Sequence, residues 1–260
     1  MIRGQVKLQQ LCSLLFELSN EDRLNLLIEL RKTPMKLSHI SEKLHSTVPE
    51  TARNLARLSE ESLITKDVDG AFHLTPLGEA ALQLLPGFSF LSKHKKYFKT
   101  HTLSTLPPEY SASIGALVKS KFTGEVSTTL YNSELILRQA NEFVWIIVGE
   151  IIASSLPLFA EGFTRGVEFR KIMPRNASIP NEIFKLANDP VFDRAARAKK
   201  MESRYLDKID VSMILSEKAV SIGFKNLDEK FDWFTFQAND ELALNWSKSL
   251  FLYYWNMAKR

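Results

Sequence analysis

The stretch that decides the fold runs from Lys36 to Leu74: K-L-S-H-I-S-E-K-L-H-S-T-V-P-E-T-A-R-N-L-A-R-L-S-E-E-S-L-I-T-K-D-V-D-G-A-F-H-L. Leu37, Ile40 and Leu44 share one helical face, His45-Ser46-Thr47 interrupts the pattern, and Val48, Ala52, Leu55 and Leu58 resume it. Thr47 with Glu50 is the sequence of a capping box, in which hydroxyl and carboxylate each satisfy an orphan amide at a helix start. Pro49 fits the first turn, where a missing N–H costs nothing. Two short helices joined by a tight polar break predict a helix-turn-helix. Asp69-Gly70 between Leu63–Lys66 and Ala71–Leu74 predicts a hairpin on a type I′ turn, with positive φ at both central residues. A helix-turn-helix followed by a hairpin is a winged helix.

The outer face of the second helix carries the chemistry. Arg and Asn make two-pronged hydrogen bonds to guanine and adenine edges in the major groove. Arg53, Asn54 and Arg57 are therefore candidates for base edges or phosphates, and Lys66 of the wing for the backbone. Lys36, Ser38, Thr47, Glu50 and Thr51 complete the candidate DNA-binding set. Residues 1–86 hold ten Lys/Arg against eleven Asp/Glu. Phosphate neutralisation must then come from where the cations sit, not from their number. Winged helices also serve as protein-interaction modules, so the fold alone does not fix a DNA partner.

Thr47-Val48 through Leu63-Ile64, with Leu74-Thr75-Pro76-Leu77-Gly78, resemble archaeal and bacterial winged-helix transcriptional regulators. Tyr97-Phe98-Lys99-Thr100-His101-Thr102-Leu103, Leu106-Pro107 and Phe143 to Val148 resemble the archaeal regulators related to the methanogenesis regulatory protein. The resemblance implies a winged helix on 1–86 fused to an α/β effector or dimerisation domain on 87–260. It implies a homodimeric transcriptional regulator that binds double-stranded DNA and answers to a small effector. Those regulators usually place Gly where this chain has Ser62, because a left-handed conformation is required there. Their second domain is similar to phospholipase-D-like folds. His94-Lys95-Lys96 supplies the H-x-K of such enzymes, but His101 stands where the aspartate would fall, which implies a non-catalytic relative.

The composition is compatible with this reading. The chain has 260 residues, 45% hydrophobic, with a net charge of +4. That length suits two domains, with a joint at Pro86-Gly87. The single cysteine, Cys12, excludes an intrachain disulfide and points to the cytoplasm. Within the helical pattern Leu8–Leu18, which is a dimer candidate, Cys12 reads as a small core or interface residue. No signal-peptide pattern opens the chain. Phe143–Ala160 is apolar but contains Glu150 and Pro157, which argues against a membrane span.

Further along, Asn20 is expected to cap a helix carrying Leu24, Leu27, Ile28 and Arg31, and Thr75 a helix over Leu77–Leu85. Lys93, Lys95, Lys96 and Lys99 read as a solvated helix face whose aromatics pack inward; the other reading is a phosphate-contacting patch. A helix is expected over Glu109–Lys121. Phe143–Val148, Ile151–Phe163 and Val167–Met173 predict a βαβ unit with a parallel pair. Pro190–Tyr205 predicts a charged helix, Asp210–Leu215 and Ala219–Phe224 a hairpin, and Trp233–Phe236 a strand. Asp240–Met257 predicts a closing helix packed through Leu242, Trp246, Leu250, Tyr253 and Met257.

No catalytic motif is present: no G-x-G-x-x-G, Walker A, G-x-S-x-G or H-E-x-x-H. His94 and His101 lack a third ligand nearby, so no metal and no cofactor are expected. Ligands in open α/β sheets lie beyond the carboxyl ends of parallel strands. Glu150 and Arg175 are the candidate ligand-binding residues there, with a helix-capping role as the alternative for Glu150. The expectation is thus an α+β protein that regulates transcription and is not an enzyme; the alternative is an α/β enzyme or ligand-binding domain whose winged helix binds protein.

Overall fold

The computed structural model of the chain describes residues 8–150, 155–177 and 190–260. The fold is a mixed α+β one, and the chain divides into two compact units, 1–86 and 87–260.

The first unit begins with α1 (Leu8–Leu18) and α2 (Glu21–Lys32), whose N-cap Asn20 accepts from the Arg23 amide. β1 (Met35–Lys36), α3 (Leu37–Lys43), α4 (Val48–Glu60), β2 (Ile64–Lys66) and β3 (Ala71–Leu74) follow. The strands form a three-stranded antiparallel sheet in the order β1-β3-β2. Leu26, Leu27, Ile40, Leu55, Leu58 and Leu63 fill the core beneath it. The capping box forms as the sequence requires, with Thr47 and Glu50 each bonded to the other's backbone.

The faces of these helices differ from the simple periodic reading. On α4 the inward stripe is Thr51, Leu55 and Leu58, while Val48 stays 51% exposed. The small Thr51 hydroxyl is satisfied locally by Ser46 and by the Thr47 carbonyl, which lets it replace an apolar residue in the core. On α2, Leu26, Leu27 and Leu30 point inward and Ile28 outward. On α1, Leu18 is buried, whereas Leu8, Leu15 and Phe16 are exposed. Cys12 is exposed, not a core residue.

The hairpin turn is also different in kind. Gly70 has φ +86°, but Asp69 is not left-handed, so the turn is not type I′. Asp67 accepts from the Asp69 and Ala71 amides, and the strand pairing resumes at Asp67–Ala71. This is the three-residue loop in which a single left-handed glycine closes the turn. Ser62 has φ +58°, the left-handed conformation expected at that position.

Thr75 caps α5 (Pro76–Lys93) by accepting from the Gly78 amide. The helix does not stop at Pro86-Gly87 but runs through Pro86. Proline removes one helical N–H bond. The fully buried Phe90 beyond it holds the last turns in place.

In the second unit, Glu109–Lys121 is not one helix. It comprises α6 (Pro108–Ala112), a 3₁₀ turn at Ile114–Leu117 and the start of β4 (Lys121–Thr123). Next come α7 (Val126–Gln139), which the apolar pattern did not reveal, β5 (Phe143–Ile147), α8 (Leu156–Thr164) and β6 (Glu168–Pro174). Pro190–Tyr205 is likewise divided, into α9 (Pro190–Arg197) and β7 (Met201–Leu206). Lys199, at φ +56°, lies in the turn between them. β8 (Val211–Ser216), β9 (Val220–Phe224), β10 (Thr235–Ala238) and α10 (Glu241–Met257) complete the unit.

The seven strands form one sheet, β4-β10-β9-β8-β5-β6-β7. β5, β6 and β7 are parallel, as the βαβ reading of the first two required; the other neighbours are antiparallel. On α10 the packed face is Ala243, Trp246, Leu250, Phe251 and Tyr254, while Leu242 and Met257 are exposed. Among the described residues no helix is long and apolar enough to cross a membrane.

Candidate nucleic-acid interface and ligand cleft

In the first unit, the structure divides the nine sequence candidates into three groups. Lys36, Ser38, Arg53 and Lys66 are exposed. Among the described residues Arg53 takes part in no ion pair, and the Lys66 ammonium lies 5.5 Å from the centre of the Phe72 ring, which holds its stem along the hairpin. Thr47 and Glu50 are exposed but bonded to each other, and that bonding holds the Glu50 carboxyl below the usual range.

The remaining three are placed differently from the expectation. Thr51 is 2% exposed and belongs to the core. Asn54 is half-buried and lines a small recess with Asn25, Leu44 and Ser46. Arg57 is held by α1: its guanidinium grips the Glu17 carboxylate at 2.5 and 3.0 Å and lies over the Phe16 ring. Glu17 also pairs with buried Arg23 at 2.8 Å, and Arg23 donates to the Phe16 and Glu17 carbonyls at the end of α1. The hydrogen bond from Arg57, with the charges of Arg23 and Arg57, holds the Glu17 carboxyl below its ordinary range against the effect of burial. Arg57 is thus a brace between α1 and α4. The sequence signal was present, a glutamate one residue from the end of an apolar helix, but no spacing rule links positions forty residues apart.

Val68 is fully exposed at the tip of the hairpin. Asp67 receives bonds from two amides and from His73, so the loop is internally fixed.

The second unit contains a cleft of about 370 Å³. Hydroxyls of Thr129, Ser133, Ser212 and Ser221 line it, with Glu150, Asp232 and Trp233. Trp233 has φ +68°, a strained value for a large residue. Asp232 is bonded to buried His101 at 2.9 Å, and His101 stacks on Tyr97 with 3.7 Å between ring centres. A contiguous recess, sharing Ser133, Val148, Glu150, Ile214 and Trp233, is lined also by Glu134 and Lys171. Burial holds the Lys171 ammonium below its usual range.

The two ligand candidates do not come together. Glu150 is exposed at the rim of the cleft, whereas Arg175 is outside its lining and pairs with Asp207 at 3.3 Å. A capping role for Glu150 concerns residues 151–154, outside the described ones. Lys171 is the residue that sequence reading missed. Its signal was a lysine in the middle of a strand that also carries Glu168 and Arg170 but continues as Ile172-Met173. His94 of the H-x-K triplet is not in the cleft but lies buried against Phe90 and Phe236, and desolvation lowers its pKa.

No family model and no curated protein matches the sequence. Among solved structures, the chain is similar to TrmBL2, an archaeal chromatin protein whose structure is described as showing a novel mode of DNA binding. The identity is 14%, over 92% of this chain and 94% of that one, with a TM-score of 0.43. It is similar to Nuc from Salmonella typhimurium, a phospholipase D family member, at 10% identity over 54% of this chain and 95% of that one, TM-score 0.40. It is also similar to the O-methyltransferase NcsB1 from neocarzinostatin biosynthesis, at 13% identity over 78% and 67% of the two chains, TM-score 0.29. The expectation that this chain is not an enzyme is corrected here, because several matched structures are methyltransferases, among them S-adenosylmethionine-dependent ones. At this level of likeness they assign no reaction and no cofactor to it.

Proposed function

We propose that the chain is a DNA-binding transcriptional regulator, with 1–86 as a winged helix and 87–260 as an effector-binding domain. α4 is the reading helix and the β2–β3 hairpin is the wing. One observation carries this reading. Arg53 is exposed on the outer face of α4 with no ion pair among the described residues, and Lys36 and Lys66 are exposed on the sheet that flanks it. Arg53 would reach a base edge or phosphate, and Lys36 and Lys66 the backbone. The protein would act as a homodimer, since one short helix reads few bases and paired half-sites multiply specificity. The exposed Leu8, Leu15 and Phe16 of α1 offer a second copy an apolar face. A small effector in the cleft of the second unit would act by binding two arrangements of the dimer with different affinities.

The test is a fluorescence-anisotropy titration of the full chain on a duplex from its own upstream DNA, with random duplex as competitor. Arg53→Ala is expected to weaken binding by about 1–3 kcal/mol and to blunt discrimination against competitor; Lys66→Ala is expected to weaken binding to all sequences alike. Equal affinity of wild type and both variants would refute the assignment of α4 and the hairpin.

A further inference from the structure

The second unit carries a charge feature that neither the cleft nor the core uses. Residues 87–260 hold the remaining 24 Lys/Arg against 19 Asp/Glu, so the chain's positive excess lies there and not in the first unit. Much of it is concentrated. Between Leu91 and Lys121 there are six lysines, at 93, 95, 96, 99, 119 and 121, and a single acid, Glu109.

The fold links the two halves of this run at one point. Lys93 at the end of α5 donates from its ammonium to the Ser120 carbonyl at 3.2 Å, which ties the end of α5 to the segment carrying Lys119 and Lys121. The local backbone is not the regular helix face that the sequence suggested. α5 ends at Lys93, and a 3₁₀ turn, Tyr97–Lys99, follows. Tyr97 points inward and is pinned there: its hydroxyl accepts from the Phe224 amide and donates to the Phe224 carbonyl. With the aromatic side committed to the core, the lysines are left outside. Lys95, Lys96, Lys99, Lys119 and Lys121 are all exposed, and among the described residues none takes part in an ion pair or a side-chain hydrogen bond. Elsewhere in the unit Lys208 pairs with Glu229 and Lys225 with Asp210.

Unpaired like charges held close together repel one another, a cost that a polyanion would remove. We infer that the lysines at 95, 96, 99, 119 and 121 form a second, sequence-independent binding surface for the phosphate backbone of duplex DNA. The inference rests on the reading of the chain as a DNA-binding protein and extends it: beside a near-neutral first unit, the second unit supplies the counterion-releasing charge.

The experiment is the salt dependence of duplex binding by the full chain. In the counterion-release relation, the slope of log affinity on log salt falls by about 0.9 for each phosphate that is no longer neutralised, and affinity at 0.1 M salt weakens roughly tenfold per phosphate. The variant K95A/K96A/K99A is expected to lose slope and affinity equally on specific and random duplexes. K95R/K96R/K99R, which keeps the charge, is expected to retain both. K32A/K208A/K259A removes the same charge from exposed positions elsewhere and is expected to leave the slope near that of wild type. Wild-type binding with an unchanged slope in K95A/K96A/K99A overturns this inference and leaves the first unit's role intact. Binding that survives R53A and K66A unchanged but fails in the lysine variant supports the inference and overturns that role. Absence of duplex binding by wild type at low salt overturns both.

Discussion

At the scale of single residues, the most consequential group is Glu17 with Arg23 and Arg57. Two guanidiniums share one carboxylate that is itself mostly out of water. Removing the carboxylate leaves buried Arg23 without its partner, so Glu17→Gln is expected to destabilise the fold by about 1–3 kcal/mol, read from urea unfolding. The same pairing makes stability depend on acid. Because the folded carboxyl is held below its unfolded value of 4.5, its contribution is complete above that pH and is lost as pH falls through the lowered folded value. The variant is expected to flatten that part of the stability profile. Ser62 is a second such residue. Its left-handed backbone costs an L-residue roughly 1–2 kcal/mol; glycine removes that strain, and its greater unfolded entropy offsets about 0.5–1 of the gain. Ser62→Gly is therefore expected to raise the urea midpoint by up to about 1 kcal/mol of stability. An unchanged or lower midpoint would mean that the seryl side chain stabilises this turn in some other way.

At the scale of elements, the junction of the hairpin with α5 shows how closely backbone segments approach. A Cβ at Gly78 would stand 2.2 Å from the Leu63 carbonyl oxygen, and the same carbonyl accepts from the Thr75 amide. Gly78→Ala must therefore push α5 away from β2, at an expected cost of about 1–3 kcal/mol by thermal unfolding; a neutral result would mean the helix start shifts freely. Elements whose signals are local were legible in advance. The Thr47–Glu50 box, the Asn20 and Thr75 caps, the parallel β5–β6 pair and the β8–β9 hairpin all form within a residue or two of their expected bounds. The misread elements were those where local and tertiary signals conflict. Met201–Leu206 contains Glu202 and Arg204 and reads as charged helix, yet it is an edge strand beside β6. There Arg204 spreads over the Trp255 ring and donates to its carbonyl. Pro86 looked like a helix end because the penalty is local, whereas the anchoring of Phe90 in the second unit's core is not.

At the scale of the whole molecule, each unit has a core of its own, built on Leu27, Ile40 and Leu58 in one and on Phe224, Phe236 and Phe251 in the other. Leu58→Ala is expected to cost about 2–5 kcal/mol and to lower the melting of the first unit. Calorimetry is expected to resolve this as a shift confined to one transition; equal movement of all unfolding would show a single cooperative block. The sequence by itself determined the order of most elements, the helix caps, the identity of Arg53, Lys36 and Lys66 as exposed cations, and the left-handed demand at position 62. These follow from side-chain spacing, hydroxyl and carboxylate capping, and the sterics of φ, all of which act over a few residues. Only the tertiary structure decided that Arg57 braces α1, that Thr51 and Asn54 turn inward, and that Arg175 and Glu150 lie apart while Lys171 lines the recess beside the cleft. Each depends on which distant segment a side chain meets, and the free energy of that meeting comes from burial and charge pairing between positions that no local periodicity connects.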